Sequence, residues 1–176
     1  MLHWLPGLVA LFALAGCTTV AGDPEPGRLL GPPLQRFAAD GRISLRQGGR
    51  SDHLRFDWQH EPERDVVLFS TPLGQGLAEL GREAGGAWLR VPGQAEQRAP
   101  DLAALTLRLF GAALPLDELA TWLRGARPQL AGEVDGWQVV VTASAPHRGH
   151  LLPQRIEALR DEVELKIVVT GWTDLD

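Results

Sequence analysis

The sequence predicts a mainly β, α+β fold: an antiparallel sheet of about eight to eleven strands, curved into an open or half barrel, with two short helices over its concave face. Three observations point there. Apolar and polar residues alternate through most of the chain after Phe37, as half-buried strands require. Gly and Pro turn signals interrupt that alternation at intervals of roughly ten residues, the spacing of antiparallel hairpins. The period lengthens to that of a helix in one place, between Asp101 and Gly125.

The elements follow in order. Arg42–Arg46 places Ile43 and Leu45 on one side, and His53–Gln59 places Leu54, Phe56 and Trp58 on one face and His53, Arg55, Asp57 and Gln59 on the other. Asp65–Ser70 is a β-branched apolar run, Gly76–Leu80 alternates again, and Ala87–Val91 follows the turn signal Gly85–Gly86. Asp101 is then a helix N-cap, Leu102, Leu105 and Leu109 share a face, and Gly111 suits the C′ stop. A second helix has Pro115 at its first position, Asp117 and Glu118 in the first turn and Arg124 in the last, with Leu116, Leu119, Trp122 and Leu123 on one face and Gly125 after it. Helices this short do not build a core alone and must lie on the sheet. Strands resume at Gly136–Ser144, Arg155–Leu159 and Val163–Trp172. Periodicity leaves two interiors open: a hollow, or one filled by Leu and Trp side chains.

Length and charge bound the rest. The chain has 176 residues, 44% hydrophobic and 22% charged, with a formal net charge of −5. That suits one domain with an appended segment, and the scattered bases leave no footprint for a phosphate backbone, so no nucleic acid partner is expected. Met1–Gly16 holds no Asp, Glu, Lys or Arg. Its apolar run after Pro6 is about ten residues, half of the roughly 20 that span a bilayer, and reads as a cleaved signal. Leu14–Cys17, "LAGC", resembles the lipobox of bacterial lipoproteins, and the cysteine is the only one in the chain. The plain alternative is an incidental cysteine beside an ordinary cleavage site. The lipobox resemblance implies a mature chain starting at Cys17 with N-acyl and S-diacylglycerol groups and no other cofactor. Thr18 stands where lipoproteins kept in the inner membrane typically carry Asp, which implies an outer-membrane anchor. The Pro- and Gly-rich stretch that follows is a coil with a span of about 25 Å. The expected organisation is a signal peptide at 1–16, a lipidated N-terminus and tether at 17–35, and a half-barrel domain at 36–176.

Catalytic signals are missing. Nothing resembles G-x-S-x-G, a P-loop, a strand-borne G-x-G-x-x-G or H-E-x-x-H. His147 and His150 read as surface-loop histidines without a third donor, and the pairs Asp117–Glu118 and Asp161–Glu162 fall at a helix start and a turn. No catalytic residue and no metal ligand is assigned, and an enzyme is not expected. Six Trp and no Tyr occur. Trp58, Trp88, Trp122, Trp137 and Trp172 fit either ordinary core positions or the wall of a cavity. In Ser70–Gly76, "STPLGQG", Pro72 and Gly74 make a turn with Leu73 at its tip, where it either folds back into the core or points outward to a membrane or partner.

Taken in order, the lipobox, the Pro-rich tether, "DGRISL", "RFDWQ", "STPLGQG", "LPLDELATWLRG", "GWQVVV" and Leu152–Pro153 resemble the LolB family across the whole mature domain. The resemblance implies an incomplete antiparallel β-barrel whose short helices cover a hydrophobic cavity for acyl chains. It implies a monomeric receptor on the periplasmic face of the outer membrane. Such a receptor accepts triacylated cargo lipoproteins from a soluble LolA-like periplasmic carrier and passes them to the inner leaflet of that membrane. It implies that Leu73, with Pro72 and Gly74, forms a membrane-insertion loop. Phe56, Trp58, Leu68, Trp122, Leu123, Trp137 and Val139 are then the expected cavity wall. The rival reading is a structural or assembly-factor lipoprotein that binds a protein through a sheet edge or loop and has no cavity.

Overall fold

The computed structural model describes residues 32–127 and 129–173. The leader, Cys17 and the tether as far as Gly31 lie outside the described residues. In chain order the elements are β1 (Phe37–Gln47), β2 (Arg50–Glu61), β3 (Arg64–Ser70), β4 (Gly76–Glu83), β5 (Gly86–Arg90), β6 (Gln97–Ala99), α1 (Leu102–Phe110), α2 (Leu116–Leu123), β7 (Ala131–Val134), β8 (Trp137–His147), β9 (His150–Arg160) and β10 (Val163–Thr173). The strands form one 10-stranded sheet in the order β6-β5-β4-β3-β2-β1-β10-β9-β8-β7. Every pairing is antiparallel. The first and last strands meet in the middle, the edges are the short β6 and β7, and those edges do not pair, so the barrel is open.

Inward residues of neighbouring strands line up as rungs. Phe37, His60, Asp65 and Arg82 make one rung across β1 to β4, and Ala39, Trp58, Val67, Leu80 and Leu89 make the next, carried on to β5. On the other half Ile43, Ile167, Ile156 and Val141 align from β1 through β10 and β9 to β8. Buried residues from both halves and from both helices join one core, so the sheet curls around the helical layer. Gly41 sits at the irregularity where β1 bends. A Cβ there would lie 2.1 Å from the carbonyl oxygen of Val168, so only glycine lets β1 and β10 approach this closely.

The rungs also fix the two ends of the half barrel. The chain enters β1 at Phe37, level with His60 and the β2–β3 turn, whereas the β3–β4 loop leaves Ser70 level with Arg55 and points toward the opposite end.

Both helices stop and start where the residues dictate. The Asp101 carboxylate accepts from Ala104 N at 2.7 Å, and Gly111, at φ 79°, ends α1 by donating to Leu107 O. Pro115 is the N-cap of α2, one position earlier than the sequence suggests, and Leu116 opens the helix. Two strands escape the sequence reading, β6 and β7, because three or four residues are too few to show an alternation. His147 and His150 are not loop residues: they face each other across the β8–β9 turn, which Arg148 and Gly149 make at positive φ.

Candidate functional site

The β3–β4 loop is built on Thr71. Its N–H donates to Gln75 O at 2.8 Å, its carbonyl accepts from Gly74 N at 2.8 Å, and its hydroxyl accepts from Gln75 N at 3.1 Å. Gly74 takes the left-handed φ of 88° that this turn needs, and Pro72 fixes its own φ. The result is a preorganised turn that holds Leu73 outward, 99% exposed. Of the two readings the sequence left open, the structure has the outward one. Leu77, at the start of β4, and Leu68 add exposed apolar surface on the same hairpin.

Most of the expected wall residues converge on the concave face. Phe56, Trp58, Trp122, Leu123, Trp137 and Val139 are all buried in the single core beneath α1 and α2. Leu68 is not among them. It lies on the outer face, 40% exposed. Inside Val66–Val67–Leu68–Phe69 every residue is apolar, so the run hides its own phase. The inward residues of β3 are Asp65, Val67 and Phe69, which puts Leu68 outside. Trp88 is buried but stands apart from that core: its indole lies flat over Gly81, where a Cβ would clash at 2.2 Å, and the Arg90 guanidinium stacks on it at 4.0 Å.

One buried polar group organises an end of this face. Asp65, 1% exposed, accepts from Trp58 Nε1 at 2.9 Å, sits 2.8 Å from His60 Nδ1, and is held by the Arg82 guanidinium through Nε at 3.1 Å and through NH2. Burial pushes the Asp65 carboxyl up, but the hydrogen bonds from His60 and Trp58, the charge of His60 and the bond from Arg82 together outweigh it and hold the carboxyl below its ordinary value. Arg82 Nε also reaches Asp117 in the first turn of α2 at 2.9 Å. The same guanidinium therefore joins the sheet to the helical layer. Sequence reasoning missed this group; its one signal was an Asp at the head of an apolar run, in phase with Trp58 and His60 across β2.

The loop end of the face holds one small gap. A void of about 10 Å³, room for no more than about one water, lies between Ile43, Leu45, Leu54, Phe110 and Leu114. Phe110, the last residue of α1, packs edge-on against Phe69 at 5.2 Å. The link to α2 is tied down by Leu114, buried in the core, whose N donates to the Thr106 hydroxyl at 2.9 Å, and by Gln47 Nε2, which donates to Gly111 O at 3.3 Å. The interior is thus filled by its own side chains in this conformation, and two indole N–H groups, those of Trp122 and Trp137, lie buried in it without a hydrogen-bond acceptor. Larger grooves, of about 460 and 410 Å³, lie on the outer face of the sheet.

Comparison with known proteins gives a consistent result. The family model described as "Outer membrane lipoprotein LolB" matches residues 35–172. A protein of Chromobacterium violaceum named outer-membrane lipoprotein LolB is 34% identical over 170 residues, covering 90% of this chain and 92% of its own. One of the same name from Thiobacillus denitrificans is 32% identical over 177 residues, covering 92% of each. Among solved structures, a LolA-superfamily protein of Nitrosomonas europaea superposes with a TM-score of 0.55 at 11% identity, covering 84% of this chain and 89% of that one, a likeness of fold.

Proposed function

The chain belongs to the LolB family of outer-membrane lipoproteins, and from that premise we propose that it is a receptor anchored to the outer membrane through acyl groups on Cys17. It takes the acyl chains of triacylated lipoproteins from a soluble periplasmic carrier and releases them into the inner leaflet. The physical need is plain. Exposing a 16-carbon chain to water costs about 12 kcal/mol at roughly 0.8 kcal/mol per CH₂, so free diffusion of such a cargo is excluded. An apolar interior that replaces water around the chains removes most of that barrier. The transfer needs no nucleotide if each acceptor holds the cargo more tightly than the last.

The concave face is filled by its own side chains, so uptake requires the helical layer to move. The partly exposed Phe110 at the end of α1 favours opening at the loop end, with α2 retained by Arg82. Acyl chains would then displace Phe110 and Leu114 and lie against Phe56, Trp58, Trp122, Leu123 and Val139. Leu73 leads the cargo into the bilayer. The single observation that carries this reading is Leu73 itself, a fully exposed leucine held out by a hydrogen-bonded turn at the end of the fold where Phe110 is only partly buried.

The test is Leu73→Glu. Folding and cargo uptake should stay near the wild-type level while delivery to vesicles falls at least tenfold. Uptake that fell in step with delivery would place the side chain in cargo binding and overturn the reading. The filled interior favours one rival, a lipoprotein that grips a protein partner through a sheet edge or loop. A hydrophobic fluorescent probe separates the two: the receptor binds it and releases it to a triacylated peptide, and the rival does neither.

A further inference from the structure

Outside the concave face, the outer surface of β10, β1 and β2 carries a groove of about 460 Å³ whose polar and loop lining is Arg42, Ser44, His53, Arg55, Lys166 and Pro72. Arg42 and Arg55 are direct cross-strand partners. Like charges so placed repel and destabilise the pairing unless something neutralises them. Among the described residues neither arginine has an ion pair or hydrogen bond, whereas Arg36, Arg46, Arg50, Arg90 and Arg98 each meet a carboxylate. Lys166 reaches Glu157 only at 3.9 Å. The acids Asp40 and Asp57 form the neighbouring rung, but on the side away from the loop, and Asp40 accepts from the Thr170 hydroxyl at 2.7 Å. On a chain of net charge −5, a groove with two facing, unpaired guanidinium groups is a built demand for an anion.

Its position says which anion. Pro72 forms part of the groove, and the next residue is the exposed Leu73. An apolar side chain that enters the boundary between headgroups and acyl chains goes about 5–10 Å deep, which brings its neighbour Pro72, and the groove with it, to the level of lipid phosphates. Val168 gives the groove an apolar floor beside the bases. We infer that this groove binds the phosphodiester of an anionic phospholipid headgroup, with Arg42 and Arg55 holding the phosphate oxygens. It is a second membrane contact that sets how the Leu73 loop meets the bilayer. The inference rests on the membrane-delivery reading above.

The experiment uses the chain from Thr18 onward, which contains the whole sheet, both helices and the core. Binding to phosphatidylcholine vesicles is compared with binding to vesicles holding about one-third phosphatidylglycerol. The wild type should bind the anionic vesicles at least tenfold more tightly. Arg42→Gln/Arg55→Gln should lose that gain and bind both vesicles alike, while melting no lower than the wild type because a repulsive rung has been removed. Glycerol phosphate at millimolar concentration should leave the gain in place. A double variant that keeps the gain, or a wild type indifferent to phosphatidylglycerol, would overturn the groove and leave the loop untouched; a gain abolished by free glycerol phosphate would overturn the lipid as its occupant in favour of a soluble phosphate ester. Leu73→Glu should weaken binding to both vesicles. If it binds both like the wild type, the membrane-entry reading itself falls, whatever the arginines do.

Discussion

Asp65 concentrates more of the structure than any other residue of the concave face. It satisfies an indole N–H and faces an imidazole, and it anchors the guanidinium that reaches α2. Asp65→Ala leaves the Trp58 N–H and part of the Arg82 charge buried without an acceptor, which should cost about 3 kcal/mol in urea unfolding. The pH dependence has a definite sign. Since the folded-state pKa is lowered, this contribution is fully present above the ordinary aspartate value of about 3.9 and is lost as pH falls through the lowered one. The stability gap between wild type and Asp65→Asn should therefore narrow as pH drops below about 4. A gap that widens in acid would mean that the carboxyl is protonated in the native state. Parity along β2 made Phe56 and Trp58 legible from sequence alone. Leu68 was misread because four apolar neighbours carry no phase, and the buried charge that sets it looks, in a sequence, like an ordinary surface acid.

The helical layer shows how unequal signals are at the scale of elements. Asp101 and Gly111 announce α1 because caps are local chemistry, and the apolar face of α2 follows from its period. Neither signal says how firmly the helices are held. The structure supplies that: the Arg82–Asp117 pair is partly exposed, so Asp117→Ala should lower stability by no more than about 1 kcal/mol. With α2 retained, the same change should leave the uptake of an acylated probe unchanged in stopped-flow fluorescence. Uptake that speeds up several-fold would mean that α2 moves as well. β6 and β7 were illegible for the opposite reason. Strands of three and four residues exist because their neighbours offer an edge, a property of the assembled sheet.

For the whole molecule, alternation foretold a sheet but could not say whether its edges meet or its inside is empty. Both depend on how side chains from distant strands pack together. The edges do not meet, and among the described residues the inside is filled by side chains. Among the described residues the core begins at Leu34, well after the proposed anchor at Cys17. The chain from Thr18 onward should accept cargo from the carrier and stay with it in the soluble fraction as a monomer, as gel filtration with labelled cargo would show. Failure to accept cargo would make the lipid part of the binding site.

The chain joins the sheet at one end and presents Leu73 from the other. Five residues of β2 separate those levels, a distance of about 17 Å at 3.4 Å per residue, and the turn projects further. A domain leashed at its upper end can touch its own bilayer with its lower end only if the leash runs down the full height of the wall. If the stretch from Cys17 to Gln35 is the acylated tether proposed above, its extended reach of roughly 60 Å covers that height with slack to spare. Cutting it to about four residues, a reach of roughly 14 Å, should leave a receptor that fills normally and hangs with its greasy tip out of reach.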